Sequence, residues 1–341
     1  MLLINAYCTH RNPPEPNFPH ELHSRRDRSD AELAEHLNGF VGYVMQNGQR
    51  EMTQVLYHVY RHIERVQHQF SLTIDQDDFE KFAYWAEEAN AILFMPDGSI
   101  CDAMGYTLVD PADGSCDEEA QLPFPPDARQ RKEATEQQLA TLGIPTLPSL
   151  PPVVGECEVQ LRSAEEVARR TLSLLVVAIR AEMLAEKQPV PQEEMRRRLP
   201  LAFESLTPDE TTFMQTDMPD QQSVMNFVWR YEALFLLQWA LGHFDTLPFP
   251  EEICDVPAVV RDILDRDAAE MIATAKLRPA AEILEAVDLH LRLHWATTEI
   301  RQRKQKPPSN INTSVLIERR HALNWLICFE DADWDDVSIP T

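Results

Sequence analysis

A stretch rich in proline divides this sequence into two parts with different patterns. Between Gly114 and Gly155, seven prolines interrupt every regular pattern except one helical stretch near residues 129–142. Because proline lacks a backbone donor and biases its predecessor toward extended conformations, residues 144–154 are predicted to form an extended connector. We therefore predict an α/β domain over residues 1–115, a proline-rich linker with one helix over 116–155, and a helical domain over 156–341.

The N-terminal part alternates between strand and helix patterns. Residues 2–8 are predicted to form a strand and residues 10–28 a loop, after which Asp30 can cap a first helix. Apolar residues at steps of three and four between 50 and 69 predict a second helix, followed by a strand over 70–74. A third helix from Asp77 to Ala89 and three short strands over 91–95, 99–101 and 106–109 complete the pattern. This order indicates a small α/β sandwich.

The C-terminal part has helical periodicity almost throughout. Ser163-Ala-Glu-Glu166 and Thr207-Pro-Asp-Glu210 have the spacing of capping boxes, which predicts helix starts at both places. The first of these helices should run to about Ala185. Further helices are predicted over residues 223–241, 256–265, 267–275, 279–298 and 315–329. The predicted fold class is therefore α+β, a small α/β N-terminal domain followed by a mostly helical C-terminal domain.

The net charge of the chain limits the classes of molecule that it is expected to bind. The formal net charge is -25, from 56 acidic and 31 basic residues, so the average surface repels nucleic acids and anionic lipids. No apolar stretch approaches the length of a membrane span, and no signal peptide is recognisable at the N-terminus. The six cysteines have no paired spacing. We expect a soluble cytoplasmic protein that binds neither nucleic acid nor membrane.

The C-terminal part contains an ordered set of motifs, which are Arg162-Ser-Ala-Glu-Glu-Val-Ala-Arg-Arg170, Trp229-Arg-Tyr-Glu-Ala-Leu-Phe-Leu-Leu-Gln-Trp-Ala-Leu-Gly242, Leu277-Arg-Pro279, His294-Trp-Ala296, Glu318-Arg-Arg-His-Ala-Leu-Asn-Trp-Leu326 and Trp334-Asp-Asp-Val337. This set resembles the bacterial family called domain of unknown function 4272. The resemblance covers residues 129–341, and the family's name implies no activity. The tail departs from the family pattern, because Val337-Ser-Ile-Pro-Thr341 stands where a threonine and an aspartate are common.

Charged residues on these otherwise apolar helices predict a polar cluster. Such groups are costly to bury unless they are paired, so the helices that carry them should meet. The cluster is either a structural set of ion pairs or a pocket in which arginine holds an anion. In the second case the candidate catalytic residues are His294, Glu232 and Glu318, and the candidate ligand-binding residues are Arg230, Arg278, Trp295, Arg319, Asp335 and Asp336.

The sequence gives little evidence for a metal site or a bound cofactor. His290 and His294, like His58 and His62, are four residues apart on predicted helices, but neither pair has further ligands at metal-binding spacing. The acidic tail around Trp334 lacks the glycine and glutamate of a calcium-binding EF-hand loop. No phosphate-binding glycine motif is present. We predict no metal and no cofactor.

Two functional hypotheses follow. The first is a non-enzymatic binding protein whose acidic surface favours a basic protein partner, with a role in bacterial immunity or defence as one form of it. The alternative is an enzyme acting on a small anionic substrate at the polar cluster. The two differ in geometry, because a catalytic cluster should line an open cleft with at least one unpaired group.

Overall fold

A computed structural model describes residues 1–46, 49–304 and 311–340, and Thr341 of the tail lies outside these ranges. The chain forms two compact units. The N-terminal unit comprises residues 1–129 and 154–158, and the helical unit comprises residues 130–153 and 159–341. The fold is α+β, as predicted. Among the described residues, no helix combines the length and apolarity that crossing a membrane requires.

The N-terminal unit is a six-stranded antiparallel sheet with helices on both faces. The elements are β1 (Leu2–Cys8), β2 (Glu21–Asp27), α1 (Ala31–Val44), α2 (Gln54–Arg65), β3 (His68–Ile74), α3 (Phe79–Glu88), β4 (Ala91–Phe94), β5 (Ile100–Cys101) and β6 (Thr107–Val109). The strand order is β2-β3-β1-β4-β5-β6. Alternate residues of β1 face opposite sides of the sheet, since Ile4, Ala6 and Cys8 pack with Trp85 of α3, whereas Tyr7 packs with α1 and α2.

One strand of this sheet was not predicted. Residues 21–27, which were assigned to a loop, form β2 and pair with β3 at the edge of the sheet. Its sequence, Glu-Leu-His-Ser-Arg-Arg-Asp, does not alternate between apolar and polar residues. All seven positions are exposed or half-buried. Its pairing depends on backbone hydrogen bonds, and these cannot be recognised from the hydropathy pattern of the side chains.

The helical unit packs around two buried helices. They are α5 (Ala164–Ala185) and α9 (Arg230–Ala240), and both are buried over most of their length. The capping boxes predicted at Ser163 and Thr207 are present. The helices are α4 (Pro126–Thr141, in this unit from residue 130), α5 (Ala164–Ala185), α6 (Gln192–Arg198), α7 (Pro208–Gln215), α8 (Gln221–Val228), α9 (Arg230–Ala240), α10 (Val256–Leu264), α11 (Ala268–Thr274), α12 (Ala280–Gln302) and α13 (Thr313–Leu326).

The prediction of one continuous helix over residues 223–241 was wrong. The segment forms two helices, α8 and α9, that meet at Trp229. The amide of Glu232 donates to the carbonyl of Trp229 at 3.0 Å, three residues back, so the chain tightens locally there. The break sets the start of α9 at Arg230, the first of its charged residues.

The capping box of α5 gives a direct test of the fold. Replacing Ser163 by alanine removes the oxygen that accepts from the Glu166 amide at 3.2 Å. We expect the Ser163→Ala substitution to lower the free energy of unfolding by about 1 kcal/mol, measured by urea denaturation. Ser314→Ala, at an exposed position in the first turn of α13, is the control and should change it by much less. Equal losses from both substitutions would contradict the assigned role of Ser163.

Candidate functional site

The predicted polar cluster forms where α9, α12 and α13 meet. Its most buried part is the ion pair between Glu232 of α9 and Arg319 of α13, with 3.0 Å between Oε2 and Nε. The Arg319 side chain is 0% exposed and that of Glu232 is 2% exposed. Arg319 also donates from Nη1 to the carbonyl of Pro248 at 2.6 Å. The second oxygen of Glu232 accepts from the backbone amide of Cys254, so both partners are held from several sides.

A second ion pair joins the same two helices. Arg230 Nη1 donates to Glu318 Oε2 at 3.0 Å, and both side chains are mostly buried. Burial raises the pKa of the Glu318 carboxyl above its usual value, and the adjacent Arg230 guanidinium opposes that shift. Glu318 therefore already has a cationic partner.

The third contact joins α12 and α13. Arg320 donates from Nη1 to Nδ1 of His294, and the same nitrogen lies 3.5 Å from the carbonyl oxygen of Ile339 in the tail. Burial, together with Arg320 and Arg301, lowers the pKa of His294 to about 4. The imidazole is therefore neutral at pH 7. A neutral ring can accept from Arg320, which always acts as a donor.

Trp334 anchors the tail beside these pairs. Its ring is buried and lies 4.7 Å from the His321 ring and 5.3 Å from the Trp325 ring, between centroids. The guanidinium carbons of Arg170 and Arg230 are 5.0 and 5.8 Å from its centroid, within cation–π range. Arg170 is itself paired with Glu210 of α7. The roles of Arg170, Glu210 and His321 were not predicted from the sequence.

Four of the predicted ligand-binding residues, Arg278, Trp295, Asp335 and Asp336, lie outside the network of ion pairs. Arg278 donates from Nε to the carbonyl of Trp239 at 2.7 Å and pairs with Glu282, so it binds the end of α9 opposite to Arg230. Trp295 packs against the apolar cluster that contains Leu139 and Leu293. Asp336 is exposed.

Asp335 has a local role. Its Oδ2 accepts from the amide of Asp209 at 3.1 Å, at the N-terminus of α7, where a carboxylate is favoured. The carboxylate therefore ties the tail to α7. The sequence analysis gave Asp335 as a candidate ligand-binding residue and did not predict this contact.

The histidine pairs do not assemble a metal site. His58, His62 and His290 are buried, and His294 is half-buried. In the described part of the chain, no group of three or more His, Cys, Asp or Glu side chains is placed to hold a metal ion. His62 Nε2 is 2.9 Å from the carbonyl oxygen of Tyr7, which gives this histidine a role in packing α2 on the sheet.

The N-terminal unit has a small cavity of about 150 Å³. Its lining includes Asp102, Tyr106, Gln121 and Arg129. The Asp102 carboxylate accepts from three backbone amides, those of Met104, Tyr106 and Gln121, at 2.9 to 3.0 Å. This aspartate therefore fixes two loops rather than presenting a free oxygen to a ligand.

A larger depression, about 440 Å³, opens on the helical unit beside α10. We call it the α10 groove, and its walls are mainly apolar. Leu264 at its end is 52% exposed. The chain around it is acidic, with seven acidic and two basic residues between 251 and 270. The lining residues are Glu182, Val256, Pro257, Val260, Arg261, Leu264 and Asp265.

Buried histidines make the stability of the helical unit dependent on pH. Burial and the nearby arginines lower the pKa of His290 and of His321 to about 3, against 6.5 for a free histidine. The unfolded chain therefore binds more protons below pH 6.5. The contribution of these histidines is complete above that pH and is lost as pH falls toward 3.

We expect the free energy of unfolding to fall by about 1.4 kcal/mol per pH unit for each such histidine as pH drops below about 6. Replacing His290 by leucine should reduce that slope by about one histidine's share. Tryptophan fluorescence during urea denaturation reports this unit, which holds five of the six tryptophans. An unchanged slope in His290→Leu would show that His290 does not titrate this way.

Comparison with known proteins identifies the helical part of the chain. No curated protein and no solved structure matches the sequence. The model of one family, described as domain of unknown function (DUF4272), matches residues 131–337, as the motifs predicted. Because this match covers more than half of the 341 residues, the protein belongs to the DUF4272 family.

Proposed function

We propose that this protein is a non-enzymatic binding protein whose helical unit holds a basic segment of a partner protein in the α10 groove. The observation that carries the proposal is the combination of an apolar groove with an acidic rim. The apolar contact surface comes from Val256, Pro257, Val260 and Leu264, and the charged residues at its border are the acidic Glu182 and Asp265 and the basic Arg261. A helix with one apolar and one basic face has the complementary chemistry.

The state of the polar cluster supports a binding role over catalysis. Two of the three candidate acid–base residues, Glu232 and Glu318, are bound to arginines, and His294 is occupied at Nδ1 by Arg320. Catalysis needs a group that is free to exchange a proton with substrate in a cleft. The two glutamates instead hold α9 and α13 together, and the excess acidic charge of the chain is the feature that supports a binding role.

The net negative charge of the chain is the reason for proposing a basic partner. A net charge of -25 accelerates association with cationic surfaces and disfavours anionic ones. Tyr231 donates to Glu182 at 2.6 Å, which holds this carboxylate at the groove. Neutralising a basic effector protein would be one use of such a surface, in keeping with a role in bacterial immunity or defence.

Two helical peptides with the same apolar face test the proposal, one carrying lysines and the other glutamates on its polar face. We expect the full-length chain to bind the basic peptide, with an affinity that falls as salt rises, measured by fluorescence anisotropy. Leu264→Lys places a cation in the groove and should weaken binding by about tenfold or more, equivalent to about 1.4 kcal/mol.

Leu142→Lys is the matched control, because Leu142 is 46% exposed elsewhere on the helical unit. It should bind the basic peptide as the unmodified chain does. Equal binding of the acidic peptide, or equal losses in both lysine variants, would refute the groove as a site for basic segments. A partner captured from the source cell should in turn be lost on Leu264→Lys and kept on Leu142→Lys.

A further inference from the structure

The α10 groove is lined by two rows of side chains from α10, and the rows differ in chemistry. Residues four apart on a helix lie one turn apart on the same side, so they form a row along its surface. The first row is Val256, Val260 and Leu264, which are all apolar and at least partly exposed. Val259 and Ile263 of the same helix are buried. The first row is therefore apolar surface that the helical unit itself does not cover.

The second row carries charge. It consists of Pro257, Arg261 and Asp265, again at steps of four residues. Both charged side chains are exposed, and within the described ranges neither forms an ion pair. Among the described residues that line the groove, Arg261 is the only basic one. The charge that the groove presents is therefore not uniform along α10.

The acidic charges of the groove are available to a partner. The Glu182 carboxylate accepts from the Tyr231 hydroxyl at 2.6 Å, and this neutral donor does not cancel its charge. Asp265 is exposed at the end of α10. Asp262, by contrast, pairs with Arg266 at 2.6 Å and does not line the groove. The groove thus presents two acidic charges and one basic charge at fixed places.

A helix bound along α10 meets these charges at a defined spacing. Arg261 and Asp265 are four residues apart, which is about 6 Å along the helix axis. Residues three or four apart on a partner helix have a similar separation. A lysine or arginine opposite Arg261 is repelled, whereas a carboxylate at that position is attracted. Like-charge contacts of this kind exclude wrong partners and fix the register of an interface.

We propose that the partner helix of the α10 groove has one acidic residue within its basic face, opposite Arg261, and a basic residue one turn away, opposite Asp265. Arg261 then selects among basic helices and sets the register in which the selected helix binds. This inference rests on the binding function proposed above and adds a requirement to it. A helix whose polar face is uniformly basic is not the best partner, because one of its cations lies against Arg261.

A glutamate scan of the lysine peptide tests this register. One glutamate replaces each residue of the polar face in turn, and binding to the full-length chain is measured by fluorescence anisotropy at constant ionic strength. We expect glutamate at one position to tighten binding about three- to fivefold, the range of a partly exposed ion pair. Glutamate at the other positions should weaken binding, because it lowers the positive charge that the acidic groove attracts.

Reversing the charge at Arg261 should reverse this order. The Arg261→Glu variant should bind the lysine peptide more tightly than the unmodified chain does, and the preferred glutamate peptide about three- to fivefold more weakly. Damage to the fold cannot produce a gain for one peptide together with a loss for the other. The neutral variant Arg261→Gln should lose the preference for the glutamate peptide.

Arg197→Glu is the matched control, because Arg197 is exposed on α6 and does not line the groove. It changes the net charge by the same amount and should keep the preference for the glutamate peptide. The inference is overturned if no glutamate position tightens binding, or if the preference persists in Arg261→Gln. With the lysine peptide still bound, either result leaves the groove proposal standing. No binding of the lysine peptide by the unmodified chain overturns both.

Discussion

The ion pair between Glu232 and Arg319 is the interaction on which the helical unit depends. Both side chains are almost completely excluded from solvent, so each partner alone would be an unpaired charge in a low-dielectric interior. Only one arrangement of α9 against α13 brings the Glu232 carboxylate and the Arg319 guanidinium within 3.0 Å. The neighbouring ion pair, Arg230 with Glu318, joins the same two helices. The two pairs fix both the register and the orientation of these helices.

The tail extends this polar framework. Trp334 packs against Arg170 and Arg230, which connects α5 and α9 to the last residues of the described chain. Asp335 reaches the N-terminus of α7. The charged residues of the helical interior thus serve mainly to hold elements together, and the surplus acidic charge is on the surface.

Local physical rules predicted much of the fold. Capping boxes at Ser163 and Thr207 marked helix starts, and the alternation of Phe70, Leu72 and Ile74 marked a buried strand, because hydrogen-bond chemistry and hydropathy act over a few residues. The edge strand β2 was missed because its exposed polar side chains give no periodic signal. The break at Trp229 was missed because the apolar pattern continues through it.

The candidate site was predicted in part. The meeting of α9, α12 and α13 followed from the cost of burying unpaired charges, but the choice of partners did not, because pairing depends on distances between residues far apart in sequence. Arg278 looked like a cluster member and instead binds backbone carbonyls at the other end of α9. Arg170 and Glu210, which the sequence did not link to each other, are paired in the interior.

A double-mutant cycle on Glu232 and Arg319 tests most directly whether the cluster is a structural framework. Glu232→Met and Arg319→Met should each lower the free energy of unfolding by about 3 to 5 kcal/mol, because each leaves a buried charge without its partner. The double variant should cost less than their sum by about 2 kcal/mol or more. Single losses that simply add, to within about 0.5 kcal/mol, would mean that the two residues do not support each other and would contradict the account.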